Sequence, residues 1–102
     1  MRKKEQQQFF KQVGQLLVSL GAEQQGEEFT LQTKAGRLML HPTENKTDGP
    51  GTVFGRFDDP KAARQFVDCN AFSGKWNHHY FDGWSLETAI ADLSFRLKSM
   101  LP

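Results

Sequence analysis

The pattern of apolar and polar positions predicts a helix near each end of the chain. In the first twenty residues, apolar side chains recur every three or four positions and form one helical face: Phe9, Phe10, Val13, Leu16, Leu17 and Leu20. A second such stripe consists of Leu86, Ala89, Ile90, Leu93, Leu97 and Met100 or Leu101. Ser85 precedes the second stripe as an N-cap, and Gly21 follows the first as a left-handed C-terminal cap. Each predicted helix therefore has one apolar face to bury.

Four segments between these helices alternate apolar and polar residues with the period of two that is typical of β-strands. They cover residues 29–33, 37–41, 52–57 and 75–81. Lys34-Ala35-Gly36 is a hairpin-length connection with a glycine available for positive φ, and Pro42 is expected to end the second strand. We therefore predict a hairpin followed by two further strands.

The fourth strand is expected to present different chemistry on its two faces, because successive residues of a strand point to opposite sides. One face has Trp76, His78 and Tyr80. The other face has Lys75, Asn77, His79 and Phe81. We expect the first set to contribute to the core and the second set to face solvent.

Two of the segments that connect the predicted strands have sequence patterns that predict their structure. Residues 42–51 contain two prolines, two glycines and no large apolar side chain, which predicts a long loop. Asp58-Asp59-Pro60 predicts the start of a short helix, with Asp59 as the N-cap and Pro60 at the first helical position. This helix is expected to reach about Asp68.

Strands that follow one another without regular helical crossovers favour an α+β fold. We predict an antiparallel four-stranded sheet with two terminal helices packed on one face and a short helix between strands 3 and 4. A chain of 102 residues fits one domain, so residues 1–102 are expected to form a single unit in which residues 1–5 are flexible.

Composition and charge narrow the classes of function. A formal net charge of +1 provides no strong basic excess for holding a nucleic-acid backbone, although net charge hides local patches. The single cysteine, Cys69, excludes an intramolecular disulfide and fits a reducing compartment. The sequence contains no run of 18 apolar residues, so we expect a cytoplasmic protein with no membrane partner.

The histidines are the main candidates for chemistry, and the strand pattern argues against a shared metal. His78 and His79 point to opposite faces of the strand, and the remaining candidate ligands show no spacing of a known metal motif. Catalysis would pair a histidine with a carboxylate or with Arg56, as in phosphodiester cleavage. No nucleophile and base stand at a recognisable spacing. We predict neither a metal site nor a cofactor.

Two aromatic residues indicate a partner or dimer surface, with burial of these rings in the core as the alternative. Phe81 belongs to the polar face of the fourth strand, and Phe95 lies roughly opposite the apolar stripe of the last helix. Exposed rings that cluster mark partner surfaces. The predicted partner-binding residues are Lys75, Asn77, His79, Phe81 and Phe95, and the loop 42–51 is a further expected contact.

Residues 55–84, GRFDDPKAARQFVDCNAFSGKWNHHYFDGW, resemble small uncharacterised accessory proteins of bacterial plasmids, conjugative elements and phages. The distinctive parts are RFDDP with the helix that follows it, and then N-x-F-SGKWN. The resemblance covers about a third of the chain and carries no activity over to it. It implies a bacterial setting in which short proteins bind host machinery, defence complexes among them.

The leading hypothesis is a non-enzymatic, protein-binding accessory protein of a mobile genetic element, with a host protein or complex as its partner. Its sharpest form is an inhibitor of a host defence system, similar to an anti-CRISPR protein, and a homodimer is a further use of the same surface. The alternative is a nucleic-acid-binding protein in which Arg56, Lys61 and Lys75 meet phosphates while Trp76 or Tyr80 stacks on bases. A small phosphodiesterase or metal-dependent enzyme is the third hypothesis.

Overall fold

The computed structural model describes residues 2–45, 48–61, 64, 66 and 74–102. Its elements are α1 (Arg2–Ser19), β1 (Glu23–Gln25), β2 (Glu28–Thr33), β3 (Gly36–Thr43), β4 (Gly51–Phe57), β5 (Lys75–Tyr80) and α2 (Leu86–Met100). The strands form one antiparallel sheet in which their spatial order follows the chain, β1-β2-β3-β4-β5. The α+β class predicted from the sequence is confirmed.

The two helices end and begin at the predicted caps. At the end of α1, Gly21 has a φ of 93° and the Ala22 N–H donates to the Leu17 carbonyl at 2.9 Å. At the start of α2, the Ser85 hydroxyl accepts from the Thr88 N–H, and the Thr88 hydroxyl accepts from the Ser85 N–H. Neither helix, as far as the chain is described, is long and apolar enough to cross a lipid bilayer.

Both helices pack on the same side of the sheet, which we call the covered face. Alternate strand residues point into it, and its fully buried large side chains include Leu31, Leu38, Leu40, Val53, Trp76 and Tyr80. The helices contribute Phe9, Val13, Leu17, Ala89, Leu93 and Leu97. The alternation predicted for these strands is therefore confirmed, because one residue in two is withdrawn from water to meet the helical stripes.

The sheet has five strands, so the predicted number of four is wrong. The additional strand β1 consists of Glu23, Gln24 and Gln25, all exposed, and it pairs with β2 from Glu23↔Thr30 to Gln25↔Glu28. A strand with three polar, exposed residues has no apolar alternation to reveal it. It forms because Gly26, with a φ of 64°, turns the chain back on β2.

Strand β3 runs through Pro42 to Thr43, so Pro42 does not end it and the long loop is shorter than residues 42–51. Pro42 pairs with Val53 on β4, whereas the ladder with β2 reaches only as far as Leu40. Pro42 therefore lies where β3 has a neighbour on one side only. A proline without an N–H is tolerated at such an edge.

The connection between β3 and β4 is tied to the rest of the protein. The Gln6 side chain, only 3% exposed, donates to the carbonyls of Asn45 and Gly49 at 3.4 and 3.3 Å. The Asn45 amide in turn donates to the Tyr80 carbonyl at 3.3 Å. Residues 2–5, for which the sequence predicts flexibility, belong to α1, whose next residue makes these bonds.

Most of the short helix predicted from Pro60 to Asp68 lies outside the described residues, as does Cys69. The described residues between β4 and β5 include no α-helix. The Asp59 carboxylate does accept from the Lys61 N–H at 3.0 Å, as an N-cap would, and the Arg64 N–H donates to the Lys61 carbonyl at 3.3 Å. The described part is therefore a capped turn.

Candidate functional site

The second side of the sheet carries the candidate site, and we call it the open face because no described helix packs on it. Its side chains belong to the strand positions that alternate with the core positions. They form cross-strand rows: Thr30–Met39–Arg56–Lys75, then His41–Phe54–Asn77, then Thr43–Thr52–His79. The open face thus gathers aromatic, basic and amide groups from four strands on one surface.

Phe54 occupies the middle of this surface. Its side chain is 37% exposed, which is high for a phenylalanine at the centre of a sheet. The His41 ring lies 5.8 Å from it and the His79 ring 6.1 Å, the latter edge-on at 87°. Phe81, 55% exposed, extends the row because its ring lies 5.9 Å from that of His79. These rings form a continuous exposed aromatic row.

A hollow of about 330 Å³ lies beside the Phe54 ring. Its lining residues come from β2 to β5 and are Glu28, Met39, His41, Phe54, Gly55, Arg56, Lys75 and Asn77. Met39 and Phe54 make part of this lining apolar, while the other side chains of the lining supply polar groups. The hollow is therefore large enough for one side chain of a partner, with hydrogen-bonding groups around it.

A hydrogen bond to a buried side chain fixes the orientation of the His79 ring. Its Nδ1 atom lies 2.8 Å from the hydroxyl of Thr52, which is only 1% exposed. This hydrogen bond uses Nδ1 and holds the ring edge against Phe54. Since the hydroxyl is buried, His79 is a positioned ring on the surface rather than a freely rotating one.

Charge on the open face is unevenly distributed. Arg56 lies directly opposite Lys75 in the β4–β5 register, and like charges in this arrangement repel each other. Arg37, two residues before Met39 on β3 and therefore next to the row that contains Arg56, is paired with Asp58 at 2.7 Å. Arg56 makes no ion pair with any of the described residues, and among those residues Glu28 is the only carboxylate that lines the hollow.

The covered side of β5 carries a second polar cluster, around Asp92 of α2. One carboxylate oxygen of Asp92 accepts from the Tyr80 hydroxyl and from the Arg96 Nε, both at 2.8 Å, and lies 3.5 Å from the His78 Nε2. Partial burial raises the pKa of Asp92, but the hydrogen bonds and the charges of Arg96 and His78 outweigh this and hold the pKa below its ordinary value. The cluster attaches α2 to the sheet.

The structure brings together four of the five predicted partner-binding residues. Lys75, Asn77 and His79 lie on the open face, and Phe81 contacts His79 just beyond β5. Phe95 is 75% exposed but lies on the outer side of α2, which packs on the covered face. One flat partner surface cannot contact both sides of the sheet at once.

The sequence reasoning did not assign Phe54 and His41 to the site, although a signal for Phe54 was present. Phe54 has the same strand parity as Arg56, whereas Val53, Gly55 and Phe57 have the opposite parity and are buried. A charged residue two positions away marks Phe54 as a solvent-side residue. His41 belongs to the site because it lies opposite Phe54 in the β3–β4 register. The sequence does not contain that register, so it gives no signal for His41.

The structure bears on the chemistry of the other hypotheses. Trp76 and Tyr80 are fully buried, so neither can stack on a base, and this part of the nucleic-acid hypothesis is wrong. His78 lies beside a carboxylate on the covered face, whereas Arg56 lies on the open face, so these two do not form one site. No group of three potential ligands in the described ranges could hold a metal ion.

Comparisons of this chain with known protein families, with curated proteins and with solved structures gave no match.

Proposed function

We propose that this protein is a non-enzymatic binding protein whose partner is another protein, and that the open face of the sheet is the contact surface. The observation that carries the proposal is the aromatic row of Phe54, His79 and Phe81, exposed at the centre and end of a sheet face. Exposed rings on a rigid surface are the residues that contribute most to protein interfaces. Keeping them in water has a cost that a partner removes.

The rigidity of the row supports the same proposal. Phe54 stands on β4, which is held by a neighbouring strand on each side, and the buried Thr52 hydroxyl holds the His79 ring. Side chains that are already ordered lose little conformational freedom when a partner binds. The hollow beside Phe54 adds a place in which the partner can bury a side chain.

The resemblance of residues 55–84 to accessory proteins of mobile genetic elements gives the proposal its setting. We take the partner to be a bacterial host protein or complex, and inhibition of a host defence system is the sharper form of the proposal. An inhibitor of this kind acts by covering a surface of its target and catalyses no reaction. A site that consists of aromatic rings, one amide and two cations agrees with this mode of action.

Nucleic-acid binding is the second candidate, and one observation favours it. Arg56 and Lys75 stand side by side on the open face next to Phe54, so a phosphate and a base could be met together. In that arrangement Phe54 or Phe81 would stack on the base, since Trp76 and Tyr80 are buried.

A capture experiment tests the proposal. Immobilised protein is incubated with a bacterial lysate, with and without nuclease treatment, and the retained proteins are identified for the wild type, for Phe54→Ala and for the matched surface variant Phe95→Ala. We expect a small set of proteins that the wild type and Phe95→Ala retain and Phe54→Ala loses, with the wild type and both variants folded by circular dichroism. Retention that Phe54→Ala leaves unchanged, or that nuclease treatment removes, contradicts the proposal.

A further inference from the structure

We infer that the outer edge of β5 pairs with β5 of a second copy of this chain, antiparallel, with the two-fold axis of the pair beside His78. The inference does not rest on the proposed function, because the backbone edge of β5 is a different surface from the open face. Two observations carry it. The first is the set of backbone groups that β5 turns away from β4, and the second is that these groups are complementary to their own copy.

The hydrogen bonds between β4 and β5 show which backbone groups point to the outer edge. The Phe57 N–H donates to the Gly74 carbonyl at 2.9 Å, so these two residues form a hydrogen-bonded pair. Hydrogen-bonded and non-hydrogen-bonded pairs alternate along an antiparallel ladder. The residues of β5 that bond to β4 are therefore Trp76, His78 and Tyr80. Between them, Asn77 and His79 direct their N–H and C=O groups away from β4.

These outward groups are open to another strand. Asn77 and His79 are both exposed, and no described residue makes a backbone hydrogen bond with either of them at this edge. The β4–β5 register runs from Lys75 to Tyr80 without a break, and the strand contains no proline. A bulge or a proline is what commonly keeps an edge strand from pairing. The chemistry that fits this edge is therefore an extended backbone.

The opposite edge of the sheet does not offer the same site. Strand β1 has three residues, and the alternation carried across the sheet from the bond between Asp58 N–H and Arg37 carbonyl leaves only Gln24 with outward groups. Pairing of β5 with β1 of another copy would also leave one edge of each type free and would continue into a filament. Pairing of β5 with itself closes after two copies.

The outer edge of β5 is complementary to itself in one register. A two-fold axis beside His78 places Asn77 opposite His79 of the second copy, and His79 opposite Asn77 of the second copy. Both are hydrogen-bonded pairs in this register. Each copy contributes two N–H and two C=O groups, so the pair makes four hydrogen bonds and uses every outward group of Asn77 and His79. The outward groups of Lys75 are not needed.

The side chains at these positions suit the same register. In the pair, the Asn77 and His79 side chains lie opposite each other on the open face, with Cβ atoms about 4.5–5.5 Å apart. The Thr52 hydroxyl occupies Nδ1 of His79 at 2.8 Å, which leaves Nε2 for the amide of the other copy. An amide has both a donor and an acceptor, so it matches either tautomer of the ring. Neither side chain carries a permanent charge that would repel its neighbour.

Sedimentation equilibrium of the full chain tests the inference with two proline variants. Asn77→Pro removes an outward N–H and leaves the bonds to β4 in place. Gln24→Pro is the matched control, because it removes an outward N–H from the β1 edge. We expect a reversible wild-type dimer that Gln24→Pro leaves unchanged and Asn77→Pro weakens by at least about tenfold, since each dimer loses two backbone hydrogen bonds. Circular dichroism checks that both variants are folded.

A cysteine cross-link tests the register and does not depend on the proline variants. In a Cys69→Ser background, His78→Cys places the two thiols at a non-hydrogen-bonded pair with Cα atoms about 4.5 Å apart, within the range of a disulfide. Asn77→Cys is the control, because its two thiols belong to residues that are offset along the strands by two positions and are too far apart. In a glutathione redox buffer we expect a disulfide-linked dimer for His78→Cys and little for Asn77→Cys.

A wild type that stays monomeric at high micromolar concentration would overturn the inference, and so would a dimer that Asn77→Pro leaves intact. Cross-linking of Asn77→Cys that equals or exceeds that of His78→Cys would overturn the register. A monomeric wild type whose captured bacterial protein is lost in Asn77→Pro would assign the edge to a strand of another protein instead of a second copy. The proposed function is judged separately, because its test is the loss of capture in Phe54→Ala.

Discussion

The two faces of β5 use similar side chains in opposite ways. On the covered face, Trp76 and Tyr80 are fully buried, and His78 lies between them within reach of Asp92. On the open face, His79 stands between the exposed rings of Phe54 and Phe81. The adjacent histidines therefore lie in different settings: His78 helps to hold a helix to the sheet, whereas His79 belongs to the exposed surface that we propose as the partner contact. The difference is set by strand parity rather than by residue type.

We expect the largest difference in stability between the two faces for Trp76 on the covered face and Phe54 on the open face. We expect Trp76→Ala to lower the free energy of unfolding by about 3–5 kcal/mol, because it leaves a cavity under both helices. Phe54→Ala should lower it by about 1 kcal/mol or less, as is usual at partly exposed positions. Urea denaturation followed by circular dichroism measures both values. Trp76→Phe, which keeps most of the ring volume, gives a folded reference if Trp76→Ala does not fold. Similar losses for Trp76→Ala and Phe54→Ala would show that both faces are core.

The Asp92 cluster provides a pH test that concerns the covered face alone. Because the pKa of Asp92 is held below its usual 3.8, its contribution to stability is complete above that value and disappears as the pH falls through the folded-state pKa. We expect Asp92→Asn to lower the free energy of unfolding by about 1–2 kcal/mol at pH 7, a modest figure because solvent reaches 22% of the side chain. The difference from the wild type should shrink below about pH 4.

Asp82→Asn, in the exposed turn before α2, is the matched control for Asp92→Asn and should have little effect at either pH. A difference between wild type and Asp92→Asn that stayed constant down to pH 3 would mean that the carboxylate charge does not hold α2.

The two histidines test the comparison at neighbouring positions. His78→Ala should lower the free energy of unfolding by about 1 kcal/mol, because it removes ring contacts with Trp76 and Tyr80 and a partner of Asp92. His79→Ala should change it by about 0.5 kcal/mol or less but should weaken partner capture. Thermal unfolding and the capture experiment give the two readouts. If His78→Ala reduced capture while stability held, the partner surface would include the covered side of β5.

The smallest effect is expected at Phe95. This ring is 75% exposed on the outer side of α2, so Phe95→Ser should change the free energy of unfolding by less than about 0.5 kcal/mol and leave partner capture intact. Light scattering of the wild type and the variant measures the oligomeric state at the same time. Loss of capture, or a dimer that becomes a monomer, would move the contact surface from the open face to α2.

The sequence predicts the elements whose residues alternate between water and core. The two helical stripes, the capping residues Gly21 and Ser85, and the parity of Trp76 and His79 are all visible in the chain. Strand β1 is not visible, because pairing with β2 is made by the backbone and its polar side chains show no pattern. Pro42 leads to a wrong end for the predicted strand for a related reason. Whether a strand can contain this proline depends on where the neighbouring strand β2 ends.

The candidate site was predictable only in part. Parity along one strand assigns Lys75, Asn77 and His79 to a common face, and this needs no knowledge of the neighbouring strands. The position of His41 beside Phe54 depends on the β3–β4 register. Register is determined by turns and by the packing of the whole sheet, so a pattern within one segment does not contain it.

The order of the strands has a consequence for how the protein is made. Because each strand pairs with the one just before it in the chain, the sheet can assemble hairpin by hairpin while synthesis proceeds from the N-terminus. Helix α2 leaves the ribosome after the whole sheet, and until it docks, part of the apolar surface around Trp76 stays uncovered. That uncovered surface is the kind that favours aggregation, and the Ser85 cap and the Asp92 contacts stabilise the docked helix that covers it.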